Sequence, residues 1–146
     1  MRLHITSLRW IGVVLLAGAL TACASADQPT PTPQVQQLRV HNVGDVDITN
    51  LSVLFPGVTP ESMATHIDFG DVAAGAMTIY VDVPGGVYGY SAYEYMLDGT
   101  IITQPVIDWI GESPLPGQQF TYEIRLDPAE VQGNQMALVN VITDRP

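Results

Sequence analysis

The chain has 146 residues and a formal net charge of −10, with 15 Asp and Glu against five Arg and no Lys. So acidic a surface has no counterion release to offer a nucleic acid, and the missing lysine excludes Schiff-base and pyridoxal-phosphate chemistry and a P-loop. Cys23 is the only cysteine, which leaves no disulfide, no second thiol and no Cys-based metal site.

The first 22 residues have their own composition. Arg2 and Arg9 precede an apolar run over residues 10–20, the length of a signal-peptide core and short of the roughly twenty residues of a membrane span. Leu20-Thr21-Ala22-Cys23 follows at once. These four residues, with the charged start and the apolar core, closely resemble the bacterial lipobox. The resemblance implies cleavage before Cys23, a diacylglyceryl thioether on its sulfur and a further acyl chain on its amino group. Buried acyl chains contribute about 0.8 kcal/mol per methylene, so two or more anchor a protein stably. The alternative is an ordinary secretory signal, because Ala24-Ser25-Ala26 offers a second cleavage site. Ala24 stands where an Asp would retain a lipoprotein in the inner membrane of a two-membrane cell, which implies the outer membrane if there is one.

Removing 22 of 146 residues leaves 124, enough for one domain. All 15 acids and three Arg remain, a net charge of −12. An anionic membrane surface would not attract such a chain, so the lipid must supply the attachment.

Residues 23–37 read as the lipidated Cys and an extended linker, with Pro29, Pro31 and Pro33 alternating with Thr30 and Thr32. Such a stretch rises about 3.1 Å per residue and holds a domain off the bilayer. From residue 38 to 146 the pattern changes to period-two alternation broken by turn residues, the signal of an all-β sandwich. Strands are expected over 38–42, 48–55, 66–69, 77–83, 87–97, 101–107, 120–126 and 136–143. The last, with Leu138, Val139, Val141 and Ile142, reads as apolar on both faces and therefore central. Asp98-Gly99 is expected to form a type I′ hairpin turn and Pro84-Gly85-Gly86 another turn. About eight strands without a βαβ alternation predict a single immunoglobulin-like, Greek-key sandwich.

A second set of landmarks runs through the domain: residues 38–42 (Leu-Arg-Val-His-Asn), Val46-Asp47, Phe69-Gly70-Asp71-Val72, Tyr80 and residues 83–88 (Val-Pro-Gly-Gly-Val-Tyr). In this order they resemble a bacterial cell-surface β-sandwich domain of unknown function. The resemblance spans about half of the mature chain and implies a fold and a surface location, but no activity.

The chemistry-bearing residues give few constellations. Gly89-Tyr90-Ser91-Ala92-Tyr93 approaches a nucleophile elbow, but Tyr93 replaces the second Gly and the context is a strand. His41 and His66 carry no signal that joins them to a serine and an acid. His66 and Asp68 share a strand face and are two ligands at most. Asp45-Val46-Asp47 begins like a calcium loop, but Pro56 stands where an EF-hand needs its Glu; loop carboxylates Asp45, Asp47, Asp68 and Asp71 remain as a different calcium site. Tyr88, Tyr90, Tyr93 and Tyr95 crowd one segment, either as core and cross-strand packing or as a ligand platform of Tyr88, Tyr90, Tyr93 and Trp109, with Asp108 and Glu112 as acceptors.

The expected protein is an envelope lipoprotein anchored through Cys23, its domain on the extracytoplasmic side, serving as a non-catalytic binding or interaction module without a cofactor or metal. Its expected partners are the membrane, through the lipid, and an envelope protein or glycan, with no nucleic acid. The alternatives are a carbohydrate-binding module built on Trp109 and the tyrosines and, last, a hydrolase using paired carboxylates.

Overall fold

The computed structural model describes residues 35–56, 64–106 and 112–146. Cys23, Asp108 and Trp109 lie outside these residues. Eight strands form among the described residues: β1 (Gln36–Asn42), β2 (Ile48–Phe55), β3 (Thr65–Val72), β4 (Val81–Val83), β5 (Ala92–Leu97), β6 (Thr100–Gln104), β7 (Gln119–Leu126) and β8 (Met136–Arg145). The protein is all-β, in two four-stranded sheets ordered β4-β1-β7-β8 (sheet A) and β3-β2-β5-β6 (sheet B). No helix among the described residues is long and apolar enough to cross a membrane.

The alternation read in the sequence sets which side chains face inward. Leu38 and Val40 of β1, Val53 and Phe55 of β2, Tyr93 and Tyr95 of β5, and Phe120, Tyr122, Ile124 and Leu126 of β7 are buried in one core shared by both sheets. Each such side chain contributes roughly 1.5–3 kcal/mol by leaving water. The polar residues between them, Arg39, His41, Thr121 and Glu123 in sheet A and Ser52 and Glu94 in sheet B, face outward.

β1 pairs in parallel with β7 and antiparallel with β4, so sheet A is mixed. The Asp98-Gly99 turn joins β5 to β6 with φ of 50° and 75°, the two positive values of a type I′ turn. In the Pro84-Gly85-Gly86 turn, Gly86 has φ +98° and lies so close to Pro114 that a Cβ would come within 2.5 Å of that ring.

Three expectations are corrected. Among the described residues β8 is an edge strand, bonded to β7 alone, and Val139 and Ile142 are exposed; apolar residues on both faces here accompany a register shift opposite Glu123 and Ile124, not burial on both sides. The expected strand over 77–83 is regular only as Val81–Val83, with one isolated bridge from Met77 to His41. The expected strand over 87–97 begins at Ala92, so Tyr88 and Tyr90 belong to the loop before it.

Side-chain amides join segments that the ladders leave open. Gln36 accepts from Val87 N at 2.6 Å and donates to Leu115 O and Gly117 O, both at 2.7 Å. The fully buried Asn42 donates to Val46 O and Val72 O and accepts from Gly44 N. Gln104, the last residue of β6, donates to Met136 O at 2.6 Å and accepts from Met136 N at 2.8 Å, which links sheet B to the first residue of β8 in sheet A.

Candidate functional site

Of the two readings of the tyrosines, core packing holds for Tyr88, Tyr93 and Tyr95, and Trp109, the fourth residue of the alternative platform, lies outside the described residues. Tyr88 and Tyr93 are 9% and 2% exposed, so neither offers a ring face to a ligand, and Tyr90 is half-buried with its ring centre 6.3 Å from that of Tyr88. The burial follows from the backbone: Tyr93 and Tyr95 are both inward positions of β5, and the Tyr88 carbonyl accepts a short hydrogen bond from the Tyr122 hydroxyl. Burial pushes the Tyr93 phenol up to about 12, with Ser91 acting against the shift. Tyr122 is pushed higher still, first by burial and then by Tyr93, against the Tyr88 carbonyl and Ser91. Among the described residues, neither Tyr93 OH nor Ser91 Oγ makes a hydrogen bond of good geometry.

Ser91, the serine of the elbow-like segment, is therefore a core residue, 6% exposed. His41 lies on the outer face of sheet A, its Nδ1 3.6 Å from Glu123 Oε1, and His66 is exposed on β3 of sheet B. Of the four carboxylates Asp45, Asp47, Asp68 and Asp71, the last two lie on β3, and three are engaged by a backbone amide at 2.8–2.9 Å: Asp47 by Ala74 N, Asp68 by Gly70 N and Asp71 by Asn50 N. Among the described residues no three His, Cys, Asp or Glu come together as metal ligands.

The outer face of sheet A is a polar network closed on itself. Arg39 donates through Nε to Thr121 Oγ1 at 2.8 Å, Thr121 donates to Asp144, and the Arg39 guanidinium lies 4.6 Å from the centre of the Tyr80 ring. Partial burial and the Asp144 carboxylate raise the Tyr80 pKa, against Arg39.

The outer face of sheet B is different, because a bulge interrupts its pairing. The register of β2 shifts between Ile48 and Ser52 against both neighbours, and Asn50 there has φ 49°. Its backbone N–H is held by Asp71 and its side-chain amide lies 3.9 Å from Met96 Sδ. Just beyond the bulge, Asp68, Ser52, Glu94 and Thr103 occupy one cross-strand row from β3 to β6. The two carboxylates thus flank Ser52, with Cα atoms two strand spacings, about 10 Å, apart.

Between them is a groove of about 260 Å³, bounded by Asn50, Ser52, Asp68 and Glu94 and by the side chains of Met96 and Ile101. Tyr95 also lines it, through its main chain, because its ring is in the core. Asp68 is exposed and Glu94 half-buried, with Thr103 Oγ1 donating to Glu94 Oε2 at 3.4 Å. The groove lies toward the end of sheet B that carries the Asp98-Gly99 turn, opposite the end at which the chain enters β1. Sequence reasoning named Asp68 only as a metal ligand and missed Asn50, Ser52, Glu94, Met96 and Ile101.

Fold and groove define a β-sandwich with a solvent-facing hollow on one sheet, lined by both polar and aliphatic residues. Comparison with protein-family models, curated proteins and solved structures gives no match.

Proposed function

We propose that the protein is a lipid-anchored envelope lipoprotein of bacteria whose β-sandwich is a non-catalytic binding module, held off the membrane by the Pro/Thr stretch. The observation that carries the reading is the order of the chain: Leu20-Thr21-Ala22-Cys23 after an apolar core, then a linker with three prolines, then one domain. The groove beside the β2 bulge supports a binding role, because bulges re-aim side chains and recur next to functional sites. The carbohydrate-binding alternative loses two of its four platform residues, since Tyr88 and Tyr93 are core residues.

Fatty-acid labelling and membrane fractionation of the wild type and Cys23→Ala test the anchor. The wild type is expected to carry label and sediment with membranes, and the variant to lose both; a labelled variant refutes the assignment. Crosslinking on intact cells tests the binding role. With no lysine in the chain, the reagent must couple this protein's carboxylates to a partner's amines, and a discrete adduct present in the wild type and lost from Cys23→Ala is expected.

A further inference from the structure

We propose that the groove on the outer face of sheet B docks a lysine- or arginine-bearing segment of a protein partner. The inference rests on the binding-module reading and names the chemistry of what is bound. Charge is the first argument. Asp68 and Glu94 stand on either side of Ser52, and among the described residues no basic side chain lines the groove between them. The ion pairs among the described residues, Arg39 with Asp144 and His41 with Glu123, are both on sheet A. The groove is therefore an uncompensated double negative charge on a chain whose net charge already draws cations toward it.

The uncharged part of the lining narrows the choice further. Met96 and Ile101, the latter 64% exposed, form an aliphatic wall beside the carboxylates, as the methylene stem of a lysine or arginine requires when its head is held by acids. An anion is repelled here. Among the described residues of the lining a sugar finds no ring to stack on, because Tyr95 turns its ring into the core. The hollow lies beside the bulge at Thr49 and Asn50, which breaks the regular pairing on both flanks of β2.

Calorimetric titration of the full chain in mild detergent tests the proposal with three probes: a blocked alanine peptide carrying two lysines, the same peptide with norleucine in their place, and spermidine. The lysine peptide is expected to bind and the norleucine peptide, which keeps the stem and loses the charge, is not. Asp68→Asn combined with Glu94→Gln is expected to weaken binding about tenfold or more. Asp127→Asn combined with Glu130→Gln, in the loop between β7 and β8, removes the same charge elsewhere and is expected to leave binding within about twofold. Equal weakening by the two pairs means general attraction to an acidic surface and overturns the proposal. Spermidine binding more tightly than the peptide overturns it in favour of a free polyamine. No binding of the lysine peptide discards the groove while leaving the binding-module reading to the cell experiments, whereas a wild type without lipid or adduct strikes that reading itself.

Discussion

Replacing Gln104 by Met tests the amide that links the two sheets. Asp127 N donates to Gln135 O, so the next pair of the β7–β8 ladder, Leu126 with Met136, falls between hydrogen-bonded positions, and Met136 turns its own N–H and C=O away from β7. Gln104 meets both, at 2.8 and 2.6 Å, as a neighbouring strand would. Gln104→Met keeps the length of the side chain and removes the amide. Two hydrogen bonds at about 1 kcal/mol each are lost, and the backbone groups of Met136, a residue 3% exposed, are left partly unpaired, for a total of about 2–3 kcal/mol. A domain of this size should then melt about 10 °C lower. Urea unfolding followed by far-ultraviolet circular dichroism gives the free energy directly, with an unchanged m-value expected. Gln104→Glu adds a check on direction. Its carboxylate accepts from Met136 N but cannot donate to Met136 O, so the variant should recover toward the wild type as acid protonates it. A loss below about 0.5 kcal/mol in Gln104→Met, the range of ordinary surface substitutions, would refute the reasoning.

The paired hydroxyls of the core give a contrast within one cluster. Tyr122→Phe removes the bond to the Tyr88 carbonyl and should cost about 1 kcal/mol, whereas Tyr93→Phe removes a hydroxyl without a well-formed bond and should be neutral or slightly stabilising by the same urea assay. Alkaline pH acts on the same groups. An unfolded tyrosine releases its proton near pH 10 while folded Tyr93 holds it to about 12, so in that window the unfolded state binds fewer protons and stability falls as pH rises, by about 1.4 kcal/mol per pH unit for each buried phenol. Phenolate absorbance should therefore rise together with unfolding, and Tyr93→Phe should make the decline shallower. Gly86→Ala, which forces positive φ on an alanine and drives a Cβ into Pro114, should destabilise by more than about 1 kcal/mol in thermal melts; an unchanged midpoint would mean that the turn relaxes freely.

How much of this could be read from the sequence differs from element to element, for physical reasons. β7 and the Asp98-Gly99 turn were legible because their signals are local: alternation of inward and outward residues in one, positive-φ residues in the other. The place of β8 was not, because Val139 and Ile142 look the same in a central strand as on an edge, and only the pairing partner decides. The tyrosines leave two readings open because ring count says nothing about direction, and burial decides for core packing: Tyr93 and Tyr95 share the inward phase of β5 with the rest of the core. The groove was illegible for a third reason. Asp68, Ser52 and Glu94 belong to three strands and become neighbours only through register, and the bulge at Asn50 beside them shows only once the pairing is known. Gln36 falls in the expected extended linker, although it opens β1, because no local pattern shows the backbone groups that it, Asn42 and Gln104 meet.

The central claim, a domain carried on a lipid at Cys23, is tested most directly by the mass of the mature N-terminus purified from cells. The account predicts a chain that begins at Cys23 and bears a diacylglyceryl group with a further acyl chain. A chain that begins at Asp27, cut after Ala24-Ser25-Ala26 and free of lipid, would contradict it.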